Sequence, residues 1–168
     1  MSVEINSKHN HTAFPVPTII KAGIITGVLD KSLAFLYSYL KSGIHPATIL
    51  QYISKVAFGK ATFSDPSILI ITGLVVHFAI AMAWAIIFFI LYRSLKLVKQ
   101  NKIVTGIVYG LFVWVMMSIV VLPLWNNKPF VFNPESSTIN AVILILAIGL
   151  PLSFMAHRFY SKNNNSSA

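Results

Sequence analysis

Four long apolar runs dominate the chain: Thr18–Leu40, Ser67–Tyr92, Ile103–Leu124 and Thr138–Ala156. Each is about as long as the 20 or so helical residues needed to cross a hydrocarbon core of roughly 30 Å. The last three contain no Asp, Glu, Lys or Arg; the first is interrupted by Lys21, Asp30 and Lys31. The runs are continuous, which excludes the alternation of a membrane β-barrel. Between the first two runs the pattern changes. Ile49, Leu50, Ile53, Val56 and Ala57 share one helical face, with Gln51, Ser54 and Lys55 opposite. This predicts a short amphipathic helix within Pro46–Phe63, ending near Gly59 and lying in the outer interface, either as a lid packed on the bundle or as a gate over a cavity. The fold expected is all-α: an integral membrane bundle of four transmembrane helices with a short interfacial helix between the first and second spans.

The expected organisation is a polar N-terminal tail over residues 1–16, a transmembrane domain over 17–160 and an Asn/Ser-rich disordered tail over 161–168. Within the domain, the spans fall at about 18–40, 67–92, 103–124 and 138–156. Pro15 and Pro17 mark the start of the first helix, where a missing N–H is harmless. Trp125–Ser137, with Pro129, Phe130, Phe132 and Pro134, reads as an interfacial loop anchored by Trp125.

Composition sharpens the class. Of 168 residues, 56% are apolar and 10% charged, against roughly 25% charged in an ordinary soluble domain. So little charge cannot solvate a soluble exterior, and so much apolar content excludes disorder. The net charge is +9, but the cations sit between the apolar runs and not on a polar face, which argues against nucleic-acid binding. The absence of cysteine excludes disulfides, thiolate metal sites and thiol catalysis. Asp30 and Lys31 inside the first run, with no small-x-small site after it, argue against a cleavable signal. Lys8, Lys21, Arg93, Lys96, Lys99, Lys102, Arg158 and Lys162 fall on one side of the bundle; Lys41, Lys55, Lys60 and Lys128 fall on the other. That asymmetry places both termini in the cytoplasm.

Asp30 is the first candidate for chemistry. A carboxylate at mid-span must face the bundle, find a partner or carry a proton. Gly23, Thr26, Gly27, Ala34, Tyr37 and Ser38 share its face, a small and polar stripe. It is either a proton or cation site or an interhelical hydrogen-bond anchor. Lys31 points about 100° away from it, to snorkel outward or to pair with Asp30 of a second copy. His77 sits in the seam Gly73, His77, Ala81, Ala85 and is either a proton relay or a packing histidine. Counted from the span ends, Asp30 and His77 lie within about one turn of the same depth.

Gly27, Gly73, Gly106 and Gly110 are expected packing positions. Thr26-Gly27, Thr72-Gly73 and Thr105-Gly106 repeat one phrase in three helices. Gly149 and Pro151 should bend the last span, and Asn140 can cap or cross-link it. His9-x-His11 is too sparse for a metal site. No phosphate loop, dinucleotide fingerprint, zincin motif or hydrolase elbow is present, so no cofactor and no metal are expected.

Three phrases together resemble a family. They are Gly23-Ile-Ile-Thr-Gly27-Val-Leu-Asp30, Val76-His77-Phe78-Ala-Ile-Ala-Met-Ala-Trp84, and Gly106-Ile-Val-Tyr-Gly110 running to Val121-Leu122-Pro123-Leu124. Over roughly residues 20–157 the chain resembles small bacterial inner-membrane proteins similar to the YagU family. The resemblance implies four spanning helices in a bacterial cytoplasmic membrane and brings no substrate or reaction. The functional expectation is a non-enzymatic small transporter or channel-like subunit with an Asp30/His77 polar centre. The alternative is a structural or regulatory subunit, and a third reading is an intramembrane enzyme acting on lipid. The expected partners are the lipid bilayer and further copies in a homo-oligomer, with no nucleic acid and no identified protein partner.

Overall fold

The structure is a computed structural model that describes residues 15–59, 65–126 and 132–165, and every regular element among them is helical. Five helices follow one another. Helix α1 is Val16–Ser42, α2 is Pro46–Phe58 and α3 is Pro66–Ser94. After a 3₁₀ turn at Leu97–Lys99, α4 runs as Lys102–Val115, a π-helical stretch Met116–Val121, and Leu122–Asn126. Helix α5 runs as Pro134–Leu144, a π-helical stretch Ile145–Gly149, and Leu150–Asn165.

The boundaries have local causes. His45, Asp65 and Asn133 each precede a proline and cap the helix that follows; Asp65 Oδ1, for example, accepts from the Ser67 amide at 2.7 Å. Such a cap satisfies an amide that has no intrahelical partner, while proline contributes none to satisfy. Pro134 therefore begins α5, where the expected interfacial loop ran on to Ser137. Asn101 caps α4 in the same way. Helix α1 stops at Gly43, whose φ of 63° suits glycine. The Gly43 amide turns back onto the Tyr39 carbonyl and the Ile44 amide onto that of Ser38, an αL-type end.

Neighbouring long helices run antiparallel. Gly23 and Gly27 of α1 face Met82 and Phe78 of α3. Tyr109 of α4 lies against Trp84 and Phe88 of α3. Gly106 and Gly110 face Leu150 and Ile145 of α5. The core is aromatic and small: Phe88, Phe89, Tyr92, Val113, Ala147, Leu152 and Ala156 are all buried. Large aliphatic side chains such as Ile24, Leu36, Val75, Val108 and Leu146 stand exposed instead, the inverse of a soluble bundle and suited to lipid.

By length and composition three helices suffice to cross a membrane: Pro66–Ser94, Lys102–Leu124 and Pro134–Lys162. Helix α1, the remaining expected span, has 27 residues, about 40 Å, but Asp30 and Lys31 dilute its apolar character. Helix α2 packs along the first half of α3, with the Leu50 backbone against Gly73. Ser54 was expected on the polar face of α2; it is fully buried, with Oγ 2.6 Å from Thr72 Oγ1. A small hydroxyl can enter a tight helix crossing when another hydroxyl satisfies it.

In both π-helical stretches an amide reaches five residues back, Leu122 to Met117 and Leu150 to Ile145. Each stretch leads into the same tripeptide, Leu122-Pro123-Leu124 and Leu150-Pro151-Leu152. Proline donates no hydrogen bond and crowds the carbonyl four residues earlier; a widened turn relieves that crowding. The bend expected at Pro151 thus takes the form of a π turn. Helix α5 also continues to Asn165, into the stretch expected to be disordered, as Tyr160 stacks on Tyr92 at 5.6 Å. The expectations about Lys8, His9, His11, Lys60, Lys128, Pro129, Phe130, the side chain of Trp125 and residues 166–168 fall outside the described residues.

Candidate functional site

The charged interruption in α1 opens onto a cavity. It holds about 230 Å³ and is walled by all five helices. Asp30 and Lys31 of α1 and His77 of α3 are its charged or ionisable lining, with Tyr52 and Trp84 as amphipathic neighbours. Most of the remaining wall is aliphatic: Ile53 and Val56 from α2, Ile80 from α3, Val113 from α4 and Leu144 from α5. The π-helical stretches supply Met117, Val121 and Ile148. The widened turns therefore border this cavity, as π turns often do at functional sites.

His77 is oriented by the backbone. Its Nε2 lies 2.9 Å from the carbonyl oxygen of Gly27. A carbonyl only accepts, so Nε2 carries the proton. Gly27 allows this approach: a side chain there would strike the ring of Phe78. With Nε2 committed, Nδ1 faces Asp30 Oδ2 at 3.9 Å. In the neutral ring Nδ1 presents a lone pair, which repels an ionised carboxylate. The two groups are compatible when one proton lies on either the carboxyl or Nδ1.

Lys31 completes the cluster. Its Nζ also lies 3.9 Å from Asp30 Oδ2, and its side chain and that of Asp30 are only 15% and 14% exposed. The expected 100° separation describes the Cβ directions; the four-carbon stem of lysine reaches around it. Both distances to the carboxylate exceed hydrogen-bond length. Asp30 Oδ2 thus stands between the ammonium and the imidazole, within ion-pair range of both.

The structure brings together Asp30 and His77 of the predicted site residues, with the Gly27 carbonyl on His77, and puts Gly73, Gly106 and Gly110 elsewhere. Gly73 receives α2, and a Cβ there would fall on the Leu50 carbonyl oxygen. Gly106 and Gly110 lie in the α4–α5 seam. The repeated Thr-Gly phrase has one structural content: Thr26, Thr72 and Thr105 each bond back to a carbonyl four residues earlier, and the following glycine meets a neighbouring helix. Sequence reasoning missed Lys31 as a cavity residue and the π turns, for which the duplicated Leu-Pro-Leu was the available signal; it weighed α2 as a lid or gate, and α2 lines the cavity through Tyr52, Ile53, Val56 and Ala57.

Away from the cavity, Lys41 Nζ meets Glu135 Oε1 at 2.7 Å, tying the end of α1 to the start of α5. This hydrogen bond holds the Lys41 ammonium above the ordinary lysine range. At the opposite end of the bundle, Tyr92 Oη lies 3.1 Å from His157 Nδ1, and Ser153 Oγ donates to the Lys102 carbonyl at 2.6 Å. Among the described residues no group of three or more His, Cys, Asp or Glu is placed to hold a metal ion.

The family described as conserved membrane protein YqhR matches residues 2–167 of the chain. Nothing ties the chain to the YagU family, whose resemblance rests on short Gly- and His-containing phrases that helix packing alone can produce. No curated protein and no solved structure matches the chain.

Proposed function

Because the chain belongs to the YqhR family of conserved membrane proteins, we propose that it is a small transporter or channel-like subunit in which Asp30 and His77 handle a proton. The observation that carries this reading is the convergence of Asp30, Lys31 and His77 on one mostly aliphatic cavity. Ionisable groups at membrane depth are costly and are kept where they serve an ion or substrate path. The Asp30/His77 pair accommodates one proton in two places, which suits a group that loads and releases it.

Four spans support this reading best. Helix α1 exposes Ile20, Ile24, Val28 and Leu36 and turns Asp30 and Lys31 into the cavity, so its outer surface suits lipid. Both termini then face the cytoplasm of a bacterial inner membrane, with α2 at the outer boundary. The protein is non-enzymatic in this reading. A single copy forms a cavity and not a pore, so transport takes a homo-oligomer; a monomer mass in detergent that persists in liposomes counts against this.

The test is proton flux into liposomes holding the purified protein and a pH-sensitive dye. The expected result is flux that changes with pH and falls at least about tenfold in Asp30→Asn. Equal flux in wild type, Asp30→Asn and His77→Gln overturns the reading. A second reading, a structural or regulatory subunit, is favoured by the 2.9 Å bond from His77 to Gly27, which ties α3 to α1. It predicts co-purification with one specific protein and no flux alone.

A further inference from the structure

A second recess lies between α4 and α5 at the end of the bundle away from the Asp30 cavity. It holds about 470 Å³ and is lined by Lys102, Phe154, Met155, His157 and Arg158. Lys102 and the Asp30 cavity residue Val113 are eleven positions apart on α4, about 16 Å. We propose that this recess binds the phosphate headgroup of an anionic lipid, with Lys102 and Arg158 on the phosphate and Phe154 and Met155 against the first part of an acyl chain.

Three observations carry the assignment. The first is charge. Arg93, Lys96, Lys99, Lys102, Arg158 and Lys162 cluster at this end, whereas the described carboxylates are Asp30 at mid-span and Asp65 and Glu135 at the opposite end. No carboxylate side chain among the described residues stands near Lys102 and Arg158, which leaves the two cations open to an anionic headgroup. The second is placement. Lys102 Nζ sits 5.0 Å from the centroid of the Phe154 ring, which holds the ammonium over the recess. Its backbone is pinned by Ser153, and the His157 ring is held by Tyr92. The third is mixed polarity. Cations from two helices stand beside an exposed phenylalanine and a half-buried methionine. A soluble anion uses only the first of these surfaces; a lipid uses both.

The test uses the full-length protein in neutral detergent, with native mass spectrometry reading bound phosphatidylglycerol against phosphatidylcholine. The wild type should retain one phosphatidylglycerol with at least about tenfold preference. The double variant Lys102→Gln/Arg158→Gln should lose about tenfold in that affinity. Lys96→Gln/Lys99→Gln removes the same charge outside the recess and should change it less than about twofold. Equal losses in the two double variants overturn the proposal in favour of diffuse attraction. Displacement of the lipid by millimolar inorganic phosphate overturns it in favour of a free-anion site, and absence of lipid preference overturns it outright. Substitution of Lys102 leaves its carbonyl bond to Ser153 in place, and Arg158→Gln alone, at an exposed residue, provides a variant whose folding is not in question.

Discussion

The α1–α3 and α4–α5 seams are both built on glycine, yet they are different joints. In the α4–α5 seam backbone meets backbone: a Cβ at Gly149 would fall on the Gly106 carbonyl oxygen, and one at Gly110 would stand 2.6 Å from the Ile145 Cα. In the α1–α3 seam glycine meets movable side chains. A Cβ at Gly23 would reach the Met82 thioether at 2.7 Å, and one at Gly27 the Phe78 ring at 2.8 Å. Backbone cannot yield without moving a whole helix, whereas a thioether turns aside cheaply. The contrast places the ionisable cluster on the adjustable joint and leaves the rigid one to set the frame. It also distinguishes two uses of small residues in membranes, close approach of helices and room for a polar group.

The contrast breaks first at its rigid side. Gly149→Ala should destabilise the bundle by about 3 kcal/mol, in the range of forced overpacking, as read by unfolding in mixed detergent micelles. A variant within about 0.5 kcal/mol of wild type, inside ordinary surface-substitution scatter, would remove the distinction. Gly73→Ala comes next, because its Cβ would strike the Leu50 carbonyl oxygen and push α2 away. With no native cysteine in the chain, Ala57→Cys gives a clean reporter on the cavity wall. Its maleimide labelling should rise several-fold in the Gly73→Ala background; unchanged labelling would mean that α2 is held by other contacts.

On the adjustable side, His77→Ala removes one interhelical hydrogen bond and should lose about 1 kcal/mol. A loss above about 3 kcal/mol, the scale of a broken buried ion pair, would mean that Asp30 and His77 are directly paired and not separated by the 3.9 Å seen here. The smallest effect belongs to Gly23→Ala. The Met82 thioether can swing aside, while the Met82 Cα at 3.3 Å must give slightly; alanine favours a helix by up to about 1 kcal/mol over glycine, so the two effects should nearly cancel. A loss comparable to that of Gly149→Ala would show the two joints to be alike.

Much of this was legible because membrane helices write long signals. The uncharged runs of α3, α4 and α5 are long membrane-span signals, and counting residues from the ends of the first two spans brought Asp30 and His77 within about one turn of the same depth. Side-chain reach was not legible. Helical-wheel angles describe where a Cβ points, and Lys31 and Ser54 act through a long stem and a tight crossing respectively. The repeated Leu-Pro-Leu marks where the backbone widens at Met116–Val121 and Ile145–Gly149, but not the form it takes. A proline announces that one hydrogen bond is missing, but whether the chain answers with a kink or a π turn depends on the neighbouring helix.

The π turn in α5 has a consequence for spacing along the sequence. It sets the angular phase between Leu144, which looks into the cavity, and Leu152, Ala156 and Tyr160, which join the aromatic core. Removing one residue from Ile145–Gly149 would rotate everything after it by about 100° and carry Tyr160 off Tyr92. Substitutions in this stretch alter a surface; a change in its length would uncouple the two ends of the protein.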